Sequence, residues 1–327
     1  MTSDLAVCYD DILDAASRLD GHAIRTPLLE FGPLNERLGK RVLVKFEGAQ
    51  HTGSFKFRGA FNRISRIEAE AKPRGVIAWS SGNHAQGVAA AARQCGIPAT
   101  IVMPTDAPKI KLENTKALGA EVVLYDRYTE SREEIATNLA NKTGAILIPS
   151  YDDPYIIAGQ GTVGLEIVEQ ARAVSANIGT VLSNCGGGGL ISGVATAIKA
   201  NIPDAAIYSV EPEGFDSTGR SLGSSDVAGN VPNAKSICDA LQSPYPGKMT
   251  LPINRTFLAG GLAVSDEEVR FAMRFAFEKM KLVAEPGGAA SLAAALSGKV
   301  PAHGGDMALI ISGANVDPDF YCSVLAG

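Results

Sequence analysis

Four short segments of the chain carry residues that could bind an anion or activate a substrate. They are HTGSFKFRGA (51–60), SSGNHAQG (80–87), NCGGGGLISG (184–193) and IISGANVD (310–317). Each combines glycines or short polar side chains and follows an apolar run that reads as a β-strand. Ligands of open α/β sheets bind beyond the carboxyl ends of the strands. We therefore expect the four segments to meet at one site.

The first segment contains a candidate nucleophile. Lys56 stands between Phe55 and Phe57, and a lysine in partly apolar surroundings has a lowered pKa and can form a Schiff base. The alternative is an ordinary surface lysine on an amphipathic helix. Arg58 in the same segment is expected to be structural.

The second segment could hold a carboxylate. Ser80, Ser81, Asn83 and His84 offer side-chain donors where a helix begins, and the first N–H groups of a helix attract anions. The alternative is an ordinary capped turn, because Ser and Asn are favoured at helix N-caps. His84 alone could be a hydrogen-bonded structural histidine.

The third segment predicts a phosphate site. Four glycines, residues 186–189, separate an apolar strand from a helix, and their N–H groups can form a nest for phosphate. Neither GxxxxGK[ST] nor GxGxxG is present, so the pattern differs from the nucleotide-binding loops. A flexible turn is the alternative.

In the fourth segment, Ser312 could face a ligand ring or belong to a plain turn.

The elements that position these segments alternate between strands and helices. This order predicts an α/β fold with parallel strands covered on both faces. Predicted strands cover 42–47, 75–80, 99–104, 120–125, 145–149, 180–185, 206–212 and 307–313. Helical patterns include HAQGVAAAARQC, SREEIATNLANK, VGLEIVEQA and DEEVRFAMRFAFEKM, and residues 214–254 are expected to be irregular.

Composition narrows the class of protein. The 327 residues, 46% of them hydrophobic, suit about two domains. The net charge of -5 comes without a basic cluster, so nucleic acid is not an expected partner. A membrane span is not expected, because no apolar run is long enough, and a signal peptide is not expected, because the N-terminus lacks its basic and apolar regions. Five cysteines without metal-binding spacing are typical of free thiols in a reducing cytoplasm.

Together with AGQGT (158–162) and EPGGAA (285–290), the four segments resemble the fold-type II enzymes that use pyridoxal 5′-phosphate (PLP). The resemblance covers nearly the whole chain and is to the branch of threonine/serine dehydratases and serine racemase, including hydroxyaspartate dehydratase-like members. It implies a tryptophan synthase β-like fold with two open, twisted, mostly parallel sheets. A large PLP-binding domain would comprise 1–74 and 151–327, and a small domain 75–150 would carry the substrate-carboxylate loop. The family is commonly dimeric, so we expect a homodimer.

The resemblance also assigns roles to individual residues. Lys56 would hold the cofactor as a Schiff base, Phe55 would lie beside its ring, and Asn83 would bind its 3′-oxygen. Ser312 would be the partner of the pyridine nitrogen, which a neutral serine leaves unprotonated. The phosphate loop would be Gly186, Gly187, Gly188, Gly189 and Leu190.

The substrate side is implied in the same way. Its residues would be Ser80, Ser81, Asn83, His84, Arg132 and Asp239. Ser81 matches the second acid/base of serine racemase-like members, although it could instead only bind the carboxylate. Arg132 matches an arginine near the substrate pocket of serine racemase-like proteins and could bind a second carboxylate. The alternative is a solvated helix residue.

The resemblance is incomplete at a cation site. Racemase-like members bind a divalent cation through a Glu, a main-chain carbonyl and an Asp. Glu211 and the Phe215 carbonyl match, but Ser217 stands where the Asp is expected and Asp216 comes one position early. Hard cations favour carboxylates, so Glu211 is expected to be structural or to bind a monovalent ion. The sequence ends at Gly327, so a C-terminal regulatory domain and feedback by isoleucine are not expected.

The predicted function is an ammonia-lyase (dehydratase). It would convert threonine, serine or 3-hydroxyaspartate into a 2-oxo acid and ammonia by α,β-elimination. The alternative is a serine or aspartate racemase with elimination as a side activity. A more distant alternative is a non-catalytic protein that binds a nucleotide or PLP.

Overall fold

The computed structural model of the protein describes residues 5–80, 82–107 and 109–327. Its strands are β1 (Leu28–Glu30), β2 (Val42–Phe46), β3 (Val76–Trp79), β4 (Ala99–Pro104), β5 (Glu121–Tyr125), β6 (Ile146–Leu147), β7 (Ile178–Asn184), β8 (Ala206–Pro212), β9 (Gly260–Val264) and β10 (Asp306–Ile311). Its α-helices are α1 (Tyr9–Leu19), α2 (Gly32–Leu38), α3 (Lys56–Ile64), α4 (Asn83–Cys95), α5 (Lys109–Ala117), α6 (Arg132–Thr143), α7 (Pro154–Ala173), α8 (Gly189–Asn201), α9 (Ser217–Leu222), α10 (Thr250–Phe257), α11 (Asp266–Phe275), α12 (Pro286–Leu296) and α13 (Pro318–Ala326). A π-helical turn, Ala276–Met280, extends α11, and 3-10 turns lie at Glu47–Ala49, His51–Gly53, Lys72–Arg74 and Asp239–Leu241.

The strands form two sheets. The larger has the order β1-β2-β10-β7-β8-β9, and the smaller has the order β5-β4-β3-β6. β1 pairs antiparallel with β2, whereas the other pairs are parallel. The predicted α/β fold with two mostly parallel sheets is confirmed. All eight predicted strands are present; β1 and β9 were not predicted, because one is short and the other begins with two glycines.

The larger sheet is covered on both faces. Side chains of β7 and β10 alternate between a cluster that includes α12 and a cluster that includes α7 and α8. This double coverage explains why β7 and β8 are apolar almost throughout. None of the helices in the described part of the chain is long and apolar enough to cross a membrane.

A buried ion-pair network holds α3 against the larger sheet and α7. The Arg58 side chain is 1% exposed, and its guanidinium lies 2.8 Å from the Glu47 carboxylate and 2.6 Å from the Glu166 carboxylate. The Lys45 ammonium lies 2.5 Å from the other oxygen of Glu166. Two positive and two negative groups thus neutralise one another. The network fixes the backbone two residues beyond Lys56.

Replacing Arg58 should therefore destabilise the protein strongly. Arg58→Met leaves Glu47 and Glu166 buried without their common partner, which costs about 3–5 kcal/mol in the free energy of unfolding. Denaturant unfolding monitored by circular dichroism measures this loss. The control is Arg25→Gln, which removes an exposed pair with Glu169 and should cost less than about 1 kcal/mol. Equal losses in the two variants would contradict the prediction.

Candidate active site

Lys56 is the first residue of α3, and its amine is buried. The Nζ atom donates a hydrogen bond to the Ser150 carbonyl at 2.8 Å and lies 5.2 Å from the centre of the Phe55 ring. Burial lowers the pKa of Lys56 to about 8, and the charge of Glu285 opposes that shift. A minor fraction of the amine is therefore unprotonated at pH 7, but far more than in an ordinary lysine, and this form can act as a nucleophile or a base.

The glycine loop is built for close approach by an anion. Gly188 has a φ of 97° and caps the N-terminus of α8, a conformation that favours glycine. A side chain at Gly187 would collide with the ring of Tyr151, and one at Gly188 would lie 2.7 Å from the Thr250 hydroxyl. The Thr250 hydroxyl donates to the Gly187 carbonyl at 2.7 Å. The N–H groups of the first turn of α8 are left for a ligand such as phosphate.

Ser312 lies next to this loop, at the carboxyl end of β10. Its hydroxyl oxygen accepts a hydrogen bond of 2.9 Å from the Asn184 side chain, and its carbonyl accepts one of 3.1 Å from the Phe55 N–H. The backbone bond to Phe55 connects Ser312 directly with the residue before Lys56. The structure thus brings Phe55, Lys56, Ser312 and the glycine loop to one edge of the larger sheet.

Asn83 is held by two residues to which the sequence analysis gave no role. Its Nδ2 donates to the Glu285 carboxyl group at 2.6 Å, and its Oδ1 accepts from Asn315 at 2.8 Å. Burial raises the pKa of Glu285 to about 8, so the carboxyl group is largely neutral at pH 7. Both residues stand in motifs visible in the sequence, EPGGAA and SGANVD, but only the fold reveals that they meet Asn83.

The substrate loop begins where β3 ends. The Ser80 hydroxyl accepts a hydrogen bond from the Gly82 N–H at 3.2 Å, and Ser81 lies outside the described residues. The His84 Nε2 lies 2.9 Å from the Ile148 carbonyl, so Nε2 carries the hydrogen. Burial and the charge of Lys56 lower the pKa of His84 to about 3. The ring is therefore neutral and engaged, and the N–H groups of the first turn of α4 remain for a carboxylate.

Arg132 and Asp239 lie at more exposed positions. The Arg132 side chain is 45% exposed, and its Nε lies 3.6 Å from the Glu133 carboxylate. Burial and the charge of Asp152 raise the pKa of Tyr151, the ring that faces Gly187, and the charge of Arg132 opposes this only slightly. Asp239 is 63% exposed and forms an ion pair of 3.1 Å with Lys111 of α5. The structure does not bring Arg132 into contact with the other predicted site residues in the described part of the chain.

Glu211 is occupied by backbone donors. Its two carboxyl oxygens accept hydrogen bonds from the Thr218 and Gly219 N–H groups at 2.9 and 2.7 Å. Asp216 pairs instead with Arg220 at 3.1 Å. The described residues contain no group of three or more His, Cys, Asp or Glu that could hold a metal ion. A single carboxylate already bound by two amides is a poor fit for a divalent cation.

Comparison with known proteins agrees with this geometry. A family model described as pyridoxal-phosphate dependent enzyme matches residues 19–313. The chain belongs to this family. It is 44% identical to an L-threo-3-hydroxyaspartate ammonia-lyase of Pseudomonas sp. and 41% identical to one of Saccharomyces cerevisiae. These alignments cover 98% of this chain in both cases, with 98% of the first relative and 96% of the second.

The fold comparison gives the same assignment. The structure of maize serine racemase superposes with a TM-score of 0.92 at 37% identity, covering 98% of this chain and 97% of that one. The prediction of a fold-type II PLP enzyme is therefore confirmed. The chain has what the cofactor needs: a buried lysine amine, a glycine loop at a helix N-terminus and a buried hydroxyl group. The predicted roles of individual residues stay predictions.

The glycine loop provides a direct test of cofactor binding. Gly187→Ala should displace Tyr151 or the loop itself, and a loss of ~1.4 kcal/mol would weaken PLP binding about tenfold. Titration of the apoprotein with PLP, followed by absorbance, measures the affinity. Gly223→Ala is the matched control, since a Cβ at this position meets no atom within 4 Å. Unchanged affinity in Gly187→Ala would argue against phosphate binding at this loop.

Proposed function

We propose that the protein is a PLP-dependent ammonia-lyase that acts on 3-hydroxyaspartate. It would eliminate water across the α- and β-carbons, and water would then hydrolyse the resulting enamine, so that the net products are ammonia and a dicarboxylic 2-oxo acid. The observation that carries the proposal is the buried, partly unprotonated Lys56 amine beside an anion-binding glycine loop. The similarity to two L-threo-3-hydroxyaspartate ammonia-lyases supports the choice of substrate. Threonine and serine are the other substrates to test.

We propose the following roles for the chain's own residues. PLP, when bound, supplies the electron sink that weakens the bond between the substrate α-carbon and its hydrogen. Lys56 then removes this proton, and the Ser150 carbonyl orients its Nζ. The N–H groups at the start of α4, together with Ser80 and Asn83, bind the substrate α-carboxylate. Ser81 acts on the opposite face of the α-carbon or helps to bind the carboxylate.

Racemisation is the second candidate function. The similarity to maize serine racemase over 98% of this chain favours it. A base on each face of the α-carbon would return the proton to either side, whereas elimination needs only one. Chiral chromatography of the products from L-serine distinguishes the two reactions. D-Serine formed faster than the 2-oxo acid would make racemisation the main activity.

Arg132 is proposed to bind the second carboxylate of the substrate. Its charge is the smallest of the contributions to the pKa of Tyr151, and Tyr151 directly follows the residue whose carbonyl accepts from Lys56. The pair with Glu133 is long, at 3.6 Å, and exposed. The guanidinium can therefore turn toward a substrate carboxylate at little cost.

Substrate comparison tests both the function and Arg132. Wild-type protein should release 2-oxo acid faster from L-threo-3-hydroxyaspartate than from L-threonine; the reverse order would reject the assigned substrate. In Arg132→Ala the KM for hydroxyaspartate should rise about tenfold or more, because a charged hydrogen bond is worth ~1.5–3 kcal/mol. Serine turnover should be retained. Arg127→Ala, which removes an exposed pair with Asp106, is the control, and equal loss of both substrates would remove Arg132 from this role.

Closure of two domains is proposed to exclude water from the site. Residues 1–74 and 151–327 would form the large PLP-binding domain and residues 75–150 the small one, in line with the division of the strands between the two sheets. The Lys111–Asp239 pair joins the two parts.

We also propose a cytoplasmic homodimer. The five cysteines are free, as in a reducing compartment; sedimentation analysis of the purified protein would test the dimer.

Glu211 is proposed to anchor α9 without a divalent cation. Added Mg²⁺ should then leave the thermal midpoint of the wild-type protein unchanged. Ser217→Asp restores the second carboxylate and should make the midpoint rise with Mg²⁺, because a ligand that binds only the folded state stabilises it. Ser217→Asn is the control of similar size without the charge. A rise of equal size in the wild-type protein would mean that Glu211 binds the ion.

A further inference from the structure

Asn184 is a buried polar residue to which no step of the proposed reaction gives a role. It is the last residue of β7, beside β10, whose carboxyl end is followed directly by Ser312. Both side chains are nearly inaccessible to solvent. Buried polar atoms need partners, and those of Asn184 determine what Ser312 can do.

The orientation of the Asn184 amide is determined by two backbone groups. Its Oδ1 lies 2.7 Å from the Ser291 N–H, which can only donate, and its Nδ2 lies 2.8 Å from the Gly288 carbonyl, which can only accept. The amide cannot be flipped without breaking both bonds. The second hydrogen of Nδ2 therefore points at the Ser312 hydroxyl oxygen, 2.9 Å away.

The direction of this last bond constrains the hydroxyl group. A serine oxygen that accepts from Asn184 must send its own hydrogen in another direction. We propose that Asn184 is a positioning residue that fixes Ser312 as a hydrogen-bond donor toward the cofactor's ring nitrogen. This inference rests on PLP binding at the site and not on the identity of the substrate. A nitrogen that accepts this hydrogen is held unprotonated, so Asn184 limits how strongly the cofactor withdraws electrons.

The isosteric change Asn184→Asp reverses the bond. The Ser312 hydroxyl would donate to the new carboxylate and present a lone pair to the ring nitrogen, which favours the protonated nitrogen. PLP labelled with ¹⁵N in the ring reports this protonation by NMR, without substrate. We expect a shift of the ¹⁵N signal toward the protonated form and about tenfold weaker PLP binding. Ser291→Ala is the control, because it removes a side-chain bond to Asn184 but leaves Ser312 unaffected.

A double variant separates positioning from a merely structural role. If Asn184 acts through Ser312, Asn184→Asp should change neither the ¹⁵N signal nor the affinity in a Ser312→Ala background. Equal effects in both backgrounds, or lost stability with an unchanged ¹⁵N signal, would overturn the proposal. Asn184→Ala serves if the aspartate variant does not fold: it removes the donor, and its effect on PLP affinity should likewise vanish in Ser312→Ala. Hydroxyaspartate turnover by the wild-type protein is a separate measurement, so failure of the proposed substrate leaves this test intact.

Discussion

The neutralisation of buried ionisable groups is the constraint on which the site depends. Lys56 and Glu285 are both removed from water, and burial lowers the pKa of one and raises that of the other toward neutral forms. A charged pair in this place would carry a large desolvation cost. Two residues along the chain, the Arg58 network does bury charged groups. Their desolvation cost is offset because the two positive and two negative groups pair with one another. The network holds α3 firmly enough to keep the Lys56 amine in an apolar setting, where it can react.

Backbone N–H groups can attract anions at this site without adding a further ionisable group. Helices α4 and α8 each begin at the carboxyl edge of a parallel sheet. There the helix dipole and the unpaired N–H groups both favour a bound anion. We propose that the first helix binds a carboxylate and the second a phosphate. Backbone donors do not titrate and hold a fixed geometry. Anion binding of this kind does not compete with Lys56 for the proton that the reaction moves.

The sequence was most informative where function depends on local pattern. The sequence predicted the eight apolar strands, Lys56 and the tetraglycine loop. Strands and turns can be recognised in this way because their patterns involve residues that are neighbours in the chain. Glu285 and Asn315 were missed as partners of Asn83, which is separated from them by 202 and 232 residues in the chain. The short β1 and the glycine-containing β9 were missed for another reason: they are strands only because a neighbouring strand pairs with them.

The difference in burial among the predicted site residues helps to explain how lyases and racemases can share one fold. The residues proposed to bind the cofactor are largely buried and joined by hydrogen bonds, so a change in one leaves its partners unsatisfied. Arg132 and the Lys111–Asp239 pair are more exposed, and a side chain at such a position can change at a cost of a fraction of a kcal/mol. If Arg132 binds the substrate as proposed, substrate choice can change at these exposed positions without a change in the buried ones.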